Sequence, residues 1–426
     1  VRLVFGGVHR SGDPGGPGKI AMTRIALLHY SAPPIVGGVE SVLGTHARLM
    51  ADAGHEVRIV AGRGEQADPR IPFIHVPLTD SRHPEVLKLK TELDQGRVPS
   101  GFEELVAALT ARLSEVLQDV KILIAHNVCS LNKNLVLTAA IKNLVRQDQL
   151  RIILWHHDLA WTTPRYRSEL HDGYPWDLLR QAWPGVKQVT ISEMRQRELA
   201  ELFQIKKDEI AVVPNGVDAA RFHKLEEQTG EYVRRLDLLN ASPLLLLPVR
   251  ITPRKNIELA LHVCASLQQH FPDAKLIVTG PLGPHNPANI KYFEKLTALR
   301  QELKLDQAVC FLAELTDEYI PDEVISDFYH LADALFLPSR EEGFGIPILE
   351  AGLAGLPIFC SDIPPLQSLG GSNVTYFSPE ADPSELAAIL AECLSSEAVF
   401  RMRTQVRREY TWERIYAQKI APLLTE

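Results

Sequence analysis

The feature that most constrains the fold of this chain is a regular alternation of short apolar runs with segments long enough to form helices. In the second half the runs are PLLLLPVR, AKLIVTG, AVCFLAE, ALFLPS and PIFCSD, and in the first half they are TRIALLHY, HEVRIVAG, VKILIAHN and LRIILWHHD. Short branched runs bounded by turns are typical of buried parallel strands. Strands that alternate with helices predict an α/β fold with doubly wound parallel sheets.

The length of the chain and one turn indicate how these elements are divided. A chain of 426 residues commonly forms two domains. The segment VVPNGVDAARF (212–222) places Pro-Asn-Gly between the two halves, as expected at a domain junction. We predict Rossmann-like domains over 22–215 and 216–405 and a C-terminal helix over 406–426. Open α/β sheets bind ligands beyond the carboxyl ends of their strands, so a cleft between the domains is expected.

Composition excludes several classes of partner. The net charge of −8 gives no general attraction to nucleic acid or to anionic membranes, and no apolar run is long enough to cross a bilayer. The five scattered cysteines include no C-x-x-C pair, which argues against disulfides and a thiolate zinc site and favours a cytoplasmic location. Residues 1–21 are rich in glycine and proline and precede Met22, so we interpret them as an extension or an expression remnant.

Two small motifs are suited to binding phosphate. In LPVRITPRKN, Arg250 is expected at a strand end and Lys255 beside a helix start, where the helix dipole adds to the field of the two cations. A solvated basic turn is the alternative. Gly37 and Gly38 lie between the first strand and the first helix, where backbone without Cβ lets an anion approach closely. A tight turn explains this pair about equally well.

Two carboxylates flank a glycine-containing turn in SREEGFGIPILEAGLAG. Glu342 is expected at the end of a strand, and Glu350 within the first two turns of the following helix, so both can point to one edge of the sheet. Carboxylates accept strong hydrogen bonds from sugar hydroxyls, roughly 1.5 to 3 kcal/mol each. Either residue alone is explained as well by a charge at a helix start or a solvated helix position. The pair predicts a ligand with many hydroxyl groups.

These motifs resemble those of a known enzyme family. SREEGFGIPILEAGLAGLPI is similar to the E-x7-E segment of the large group 1, or family 4, retaining glycosyltransferases with GT-B architecture. VRITPRKN and VVPNGVD resemble the R-x4-K and P-N-G-V-D segments of that family, in the same order, and the resemblance covers nearly everything after Met22. It implies two facing Rossmann-like domains, with the C-terminal helix crossing back onto the first.

The resemblance also implies a role for each matching residue. Arg250 and Lys255 would bind the diphosphate of a nucleotide sugar, and Glu350 would hold its ribose. Glu342 would bind the hydroxyls of the donor sugar, with the backbone of Phe344 and Gly345 beside it.

In the first domain the resemblance assigns roles to three further residues. Gly38 would approach the distal phosphate, and LWHHDLAW matches a strand-end His-Asp segment through His157 and Asp158, near the anomeric carbon. Alternation of strand side chains leaves open which of His156 and His157 faces the cleft. The expected catalytic set lies in both domains: His157, Asp158, Arg250, Lys255 and Glu342.

The expected reaction is retaining transfer of a hexosyl group from a UDP-, ADP- or GDP-linked sugar, such as UDP-glucose, to an acceptor hydroxyl. No D-x-D triplet occurs, so neither a metal nor another cofactor is expected, and the two cations would neutralise the leaving group. The loop WTTPRYRSELHDGYPW offers Arg165 and Arg167 to an acceptor phosphate, although a solvated loop explains them equally well. Sucrose-phosphate synthase belongs to the family, so a sugar or sugar phosphate such as fructose 6-phosphate is one acceptor class.

Other acceptors and two other functions stay open. Lipid-linked and polysaccharide acceptors are compatible with the motifs, although no strongly basic amphipathic helix indicates docking to a membrane. A phosphorylase on the same architecture would use inorganic phosphate instead of a nucleotide. A non-catalytic protein that binds nucleotide sugars would retain Arg250, Lys255 and Glu350, but the presence of Glu342 and of the His157-Asp158 pair argues against it.

Overall fold

The computed structural model describes residues 22–145, 150–281, 287–316, 318 and 320–425. The chain forms two compact units. One contains the described residues up to Asn215 together with those from Glu413 onward, and the other is Gly216–Trp412. Both units are built on a parallel sheet with helices in the connections, which confirms the predicted α/β architecture.

The sheet of the first unit has the order β3-β2-β1-β4-β5-β6-β7, with every neighbouring pair parallel. Its strands are β1 (Arg24–Leu28), β2 (Glu56–Ala61), β3 (Phe73–His75), β4 (Ile122–His126), β5 (Arg151–His156), β6 (Lys187–Thr190) and β7 (Ile210–Val212). Its helices are α1 (Gly38–Asp52), α2 (Pro84–Leu93), α3 (Phe102–Val116), α4 (Leu135–Leu144) and α5 (Glu193–Phe203). The strand order reverses between β1 and β4, where ligands of such sheets commonly bind.

The sheet of the second unit has the order β10-β9-β8-β11-β12-β13 and is also parallel. Its strands are β8 (Leu244–Leu247), β9 (Lys275–Val278), β10 (Val309–Phe311), β11 (Ala334–Leu337), β12 (Ile358–Ser361) and β13 (Thr375–Phe377). Its helices are α6 (Ala219–His223), α7 (Glu227–Arg235), α8 (Ile257–Leu267), α9 (Pro287–Glu302), α10 (Asp322–Leu331), α11 (Ile346–Leu353), α12 (Pro364–Gly370), α13 (Pro383–Ser396) and α14 (Ala398–Glu409). Here the order reverses between β8 and β11.

The last described residues form a helical segment that belongs to the first unit from Glu413 onward. It comprises α15 (Trp412–Ile415), a π-helical turn (Tyr416–Ile420) and α16 (Ala421–Thr425). Arg151 at the start of β5 donates from Nη2 to the carbonyl of Leu423 at 2.6 Å. This bond and the buried side chains of Leu423 and Leu424 attach the end of the chain to the first unit.

The two central strands of the second sheet, β8 and β11, both end just before a proline, so their carboxyl ends lie at defined positions. Every residue of β8 and β11 is buried, as expected for parallel strands covered on both faces. Each strand is followed by a proline, Pro248 or Pro338, which has no N–H to continue the ladder. Arg250 was expected at the strand end, but β8 ends at Leu247 because of Pro248, and Arg250 lies in the following loop.

Two further properties of the described residues concern the whole chain. Cys129, Cys264, Cys310 and Cys360 are buried free thiols, and Cys393 is half-buried. Within the described ranges, none of the helices combines the length and the apolar character that crossing a bilayer requires.

Candidate functional site

In the second unit, the segments that follow β8 and β11 bring a lysine and a glutamate together. Lys255 ends a short 3-10 turn (Pro253–Lys255), and Asn256, with φ 53°, redirects the chain into α8. Lys255 Nζ lies 2.5 Å from Glu342 Oε1, and both side chains are about nine-tenths buried, with exposed fractions of 9% and 8%. The two motifs chosen from the sequence therefore meet where the strand order reverses.

The surroundings of this ion pair determine its chemistry. Ser339 Oγ, fully buried, donates to the same Glu342 oxygen at 2.7 Å. Burial lowers the pKa of Lys255, and the hydrogen bond and charge of Glu342 only partly oppose that effect. The ammonium is thus a desolvated cation with one carboxylate partner. A phosphate that reaches Lys255 would compete with Glu342 for its N–H groups.

Two arginines stand beside this pair in different ways. Arg250 is exposed in the loop after β8. The backbone of this loop passes close to Gly280, where a Cβ would lie 1.9 Å from the carbonyl oxygen of Val249. Arg254, which the motif reasoning did not select, lies 4.0 Å from Glu342 Oε2 and donates to the carbonyl of Glu341 at 3.3 Å. The sequence could have indicated Arg254 as a further cation of the site, because it directly precedes Lys255.

Glu350 has a different partner from Glu342. It is exposed on α11 and accepts a hydrogen bond of 2.6 Å from the hydroxyl of Tyr329 on α10. Burial, reinforced by the carboxylate, raises the pKa of Tyr329 well above its usual range, so the phenol remains a donor. Between the two carboxylates, Phe344 is 56% exposed and Gly345 adopts φ 106°, a conformation that favours glycine.

In the first unit, α1 begins at the glycine pair after β1. Gly37 caps α1, and a Cβ on it would collide with the carboxylate of Glu40, which folds back over this position. Glu40 Oε1 accepts from Ser31 Oγ at 2.6 Å. Burial opposes its ionisation, but the hydrogen bonds from Ser31 and from its own backbone outweigh that effect and hold its pKa below the usual value. Gly38 faces open space, with no atom within 4 Å of a Cβ.

The His-Asp segment follows β5 and is held by a residue that the motifs did not reveal. Asn127, directly after β4, has φ 55° and is 3% exposed. Its Oδ1 accepts from the backbone N–H of His157 at 3.0 Å and of Asp158 at 2.9 Å. Its Nδ2 donates to Asp158 Oδ2 at 3.4 Å, and Arg195 of α5 lies 3.8 Å from Asp158 Oδ1.

The structure separates the two adjacent histidines. His156 is 1% exposed, bonds through Nε2 to Gln188 Oε1 at 2.8 Å and packs edge-on against Phe203. His157 instead reaches toward β4, where its Nε2 lies 3.4 Å from Nδ1 of His126. His156 is therefore a structural residue between strands, and His157 is the histidine that belongs with Asn127 at the strand ends.

His157 is part of a histidine cluster, which we define as His29, His46, His126 and His157. His29 Nδ1 lies 2.7 Å from the carbonyl of His126, and the rings of His46 and His126 are 5.3 Å apart. Burial lowers the pKa of all members, to about 4 for His29 and His157 and about 3 for His46. These rings are neutral at pH 7, so they act as hydrogen-bonding groups without positive charge.

The loop proposed for an acceptor phosphate combines two exposed arginines with packed tryptophans. Arg165 and Arg167 are exposed, and the guanidinium of Arg165 lies 4.8 Å from the centre of the Tyr166 ring. Trp176 is buried. The guanidinium of Arg180 covers one face of Trp161, with its central carbon 4.1 Å from the centre of the ring. The two tryptophans of this loop stabilise the fold, so neither is free to stack on a sugar through both faces.

Among the described residues, no group of three or more histidines, cysteines, aspartates or glutamates is arranged to hold a metal ion.

Two family models match the chain, one in each half. The model described as Glycosyltransferase Family 4 matches residues 36–221, and the model described as Glycosyl transferases group 1 matches residues 231–410. The second match contains Arg250, Lys255, Glu342 and Glu350, and the first contains Gly38 and the His157-Asp158 pair.

Similar proteins extend over most of the chain. An MMP alpha-(1->4)-mannosyltransferase of Mycolicibacterium hassiacum is 25% identical over 93% of this chain and 97% of its own. A mannosylglucosylglycerate synthase of Petrotoga mobilis is 25% identical over 80% of this chain and 83% of its own. The sucrose-phosphate synthase structure from Thermosynechococcus elongatus aligns with 94% of this chain and 98% of its own, at 18% identity and a TM-score of 0.37.

Proposed function

Because this chain belongs to the group 1 glycosyltransferases, which use nucleotide sugars, we propose that it transfers a hexosyl group from a nucleotide diphosphate sugar to an acceptor hydroxyl with retention of anomeric configuration. The observation that carries this proposal is the buried pair of Lys255 and Glu342, joined by Ser339, at the point where the second sheet reverses its strand order. A desolvated cation beside a carboxylate can bind a phosphate with one group and a sugar hydroxyl with the other.

The donor is assigned to the second unit. Lys255 and the exposed Arg250 bind the diphosphate, and Glu350, with Tyr329 fixing one of its oxygens, accepts from the ribose hydroxyls. Glu342 accepts from the hydroxyls of the transferred sugar, beside the backbone of Phe344 and Gly345. Mannosyl and glucosyl donors linked to UDP, GDP or ADP come first, since one relative is named a mannosyltransferase and another a mannosylglucosylglycerate synthase.

The first unit supplies the remaining groups. We assign His157 and Asp158 to the surroundings of the anomeric carbon, Gly38 to the approach of the distal phosphate, and Arg165 and Arg167 to a phosphate on the acceptor. His157 is neutral at pH 7 because burial lowers its pKa to about 4, so it serves as a hydrogen-bonding group. Sugars and sugar phosphates, including fructose 6-phosphate, are the acceptors to test first.

The chemical step proposed is a substitution on one face of the sugar. The bond between the anomeric carbon and the diphosphate oxygen breaks, and the acceptor oxygen bonds to that carbon on the same face. The acceptor proton passes to the departing phosphate oxygen, whose negative charge Arg250 and Lys255 stabilise. Positive side chains carry out this neutralisation, so we propose that turnover needs no added divalent metal.

A binding screen is the first test. Full-length protein in chelator should melt at a higher temperature with one nucleoside diphosphate and its sugar than with the others, because a ligand bound only by the folded state stabilises it. Release of nucleoside diphosphate with each acceptor would then be measured, and the anomeric configuration of the product determined by NMR. Stabilisation by inorganic phosphate alone, with release of sugar phosphate, would refute the transferase in favour of a phosphorylase.

A matched pair of variants tests the assignment of Glu342. Glu342→Gln should lower turnover by about tenfold or more, since a charged acceptor of hydrogen bonds is lost. Asp327→Asn is the control, because Asp327 is also a buried carboxylate of the second unit but, among the described residues, accepts from Thr229 and the backbone of Glu226. Equal loss of turnover in both variants would show that Glu342 acts only through the stability of the unit.

A further inference from the structure

Asn127 makes three hydrogen bonds to the His157-Asp158 segment through its side chain. One oxygen of its side chain accepts from both backbone N–H groups of the segment, at 3.0 and 2.9 Å, and from Ser130 Oγ at 3.3 Å. Its amide nitrogen donates to the Asp158 carboxylate at 3.4 Å. A single side chain thus fixes both the backbone and one side chain of the segment.

The backbone of Asn127 explains how its side chain reaches this place. Its N–H donates to the carbonyl of Trp155 at 2.7 Å, which extends the contact between β4 and β5 by one residue. At that point φ becomes 55°, a left-handed conformation that asparagine adopts more readily than most residues. The strands end here, so the two N–H groups after β5 bond to the asparagine oxygen in place of a carbonyl of a neighbouring strand.

We propose that Asn127 is a positioning residue for the transfer reaction: it holds His157 and Asp158 in their working geometry without touching substrate. This inference rests on the proposed function, because it gives His157 and Asp158 a place beside the reacting carbon. The bonds of Asn127 reach His157 through its backbone, while the ring of His157 extends toward His126. Loss of Asn127 therefore releases the segment from its backbone side.

Asn134 provides a matched control within the same unit. It is also buried, at 1% exposed, and caps α4 by accepting from the N–H of Leu137 at 3.0 Å and donating to the carbonyl of Leu78 at 2.9 Å. Within the described part of the chain, none of the hydrogen bonds of its side chain goes to the His-Asp segment. Asn134→Ala should lower the melting temperature and leave the kinetics of the folded protein unchanged.

The first test is Asn127→Gly, since glycine adopts φ 55° without strain but offers no side chain. We expect kcat to fall by about 10- to 100-fold, because small misplacement of groups near the reacting atoms has effects of that size. The KM for the donor should change little, because the side chains assigned to its diphosphate and ribose lie in the second unit. A similar loss of kcat in Asn134→Ala would overturn the inference.

The second test, Asn127→Asp, keeps an oxygen for the two N–H groups but turns the amide nitrogen into a second carboxylate oxygen facing Asp158. Two adjacent carboxylates bind a shared proton more tightly than either alone, so lowering the pH should restore their hydrogen bond. The titratable or charged groups around this position are Asp158, His157, His126, Arg195 and Tyr30. Activity relative to wild type should rise as the pH falls, whereas a purely structural residue would give parallel pH profiles and refute the inference.

A readout without turnover keeps this result separate from the proposed function. The histidine ring protons of wild type and Asn127→Gly would be followed by NMR during a pH titration. Release of the segment should move the pKa of His157 upward from about 4 toward its usual range. An unchanged His157 titration overturns the inference, whereas wild-type protein that releases no nucleoside diphosphate from any donor refutes only the proposed function.

Discussion

Replacing Lys255 by methionine tests the reasoning about the second unit most directly. Methionine keeps a long unbranched side chain and removes the charge that lies 2.5 Å from Glu342. At this separation the gross Coulomb energy is about 7 kcal/mol for an effective dielectric constant of 20, most of which desolvation offsets. Removal of one partner from a buried pair typically costs about 3 to 5 kcal/mol, because the other charge stays buried.

We expect the stability cost of Lys255→Met to lie near the lower end of this range, at about 3 kcal/mol. Ser339 still donates to Glu342, and Arg254 lies 4.0 Å from its other oxygen. A cost of about 3 kcal/mol corresponds to a decrease in melting temperature of roughly 6 to 12 °C for a domain of this size. The loss of one charge-assisted contact to the diphosphate, about 1.5 to 3 kcal/mol, should weaken nucleoside diphosphate binding and lower turnover by about 10- to 150-fold.

Calorimetric titration with the nucleoside diphosphate measures the change in affinity, and single-turnover assays measure the change in rate. Both experiments are done below the melting temperature of the variant. Lys275→Met is the control, because Lys275 lies on β9 and donates to the carbonyls of Leu236 and Asp237 at 2.8 and 3.0 Å. It should lose stability and keep its affinity. A folded Lys255→Met protein with wild-type affinity and turnover would refute the assignment of Lys255.

Three further predictions address other parts of the chain. Gly345→Ala should cost about 1 to 3 kcal/mol of stability, since φ is 106° and a Cβ would lie 2.6 Å from Leu366, whereas Gly343→Ala, which meets nothing within 4 Å, should be near neutral in thermal melts. Glu350→Gln should reduce discrimination between a nucleoside diphosphate and its 2′-deoxy form by about tenfold, measured by calorimetry; unchanged discrimination contradicts the ribose assignment. The histidine cluster has lowered pKa values in the folded state, so its stabilising contribution is complete above about pH 6.5 and is lost as the pH falls toward 4. Between these pH values, each member should lower the free energy of unfolding by about 1.4 kcal/mol per pH unit. Unfolding can be measured by tryptophan fluorescence, because four of the five tryptophans lie in the first unit. Equal stability at pH 7 and pH 5 would contradict this account.

The central strands β8 and β11 were predictable from the sequence, whereas the short strands β6 and β13 were not. LLLL of β8 and ALFL of β11 are continuous apolar runs because parallel strands are buried on both faces. Strand β6 reads KQVT and β13 reads TYF, and neither has the length or the periodicity that identifies a strand. These segments become strands because they pair with neighbouring strands, β6 with β5 and β7 and β13 with β12, and the sequence of a short segment does not reveal such pairing.

The pairs within the candidate site were only partly predictable. Lys255 and Glu342 were selected by their motifs, but their ion pair depends on the adjacency of β8 and β11, strands separated in sequence by β9 and β10. Asn127 and Tyr329 were not selected, because a lone asparagine after a strand and a tyrosine in a helix resemble ordinary structural residues. Their roles depend on contacts with distant segments of the chain.

The close approach of Gly280 to the loop that carries Arg250 has a consequence for sequence variation. A Cβ at position 280 would lie 1.9 Å from the carbonyl oxygen of Val249 and 2.5 Å from the backbone nitrogen of Arg250. Backbone atoms cannot move aside as the end of a flexible side chain can. In a library with all twenty residues at position 280, selection for folded protein should return glycine alone, while selection at the exposed Arg250 should respond to function and leave folding unaffected.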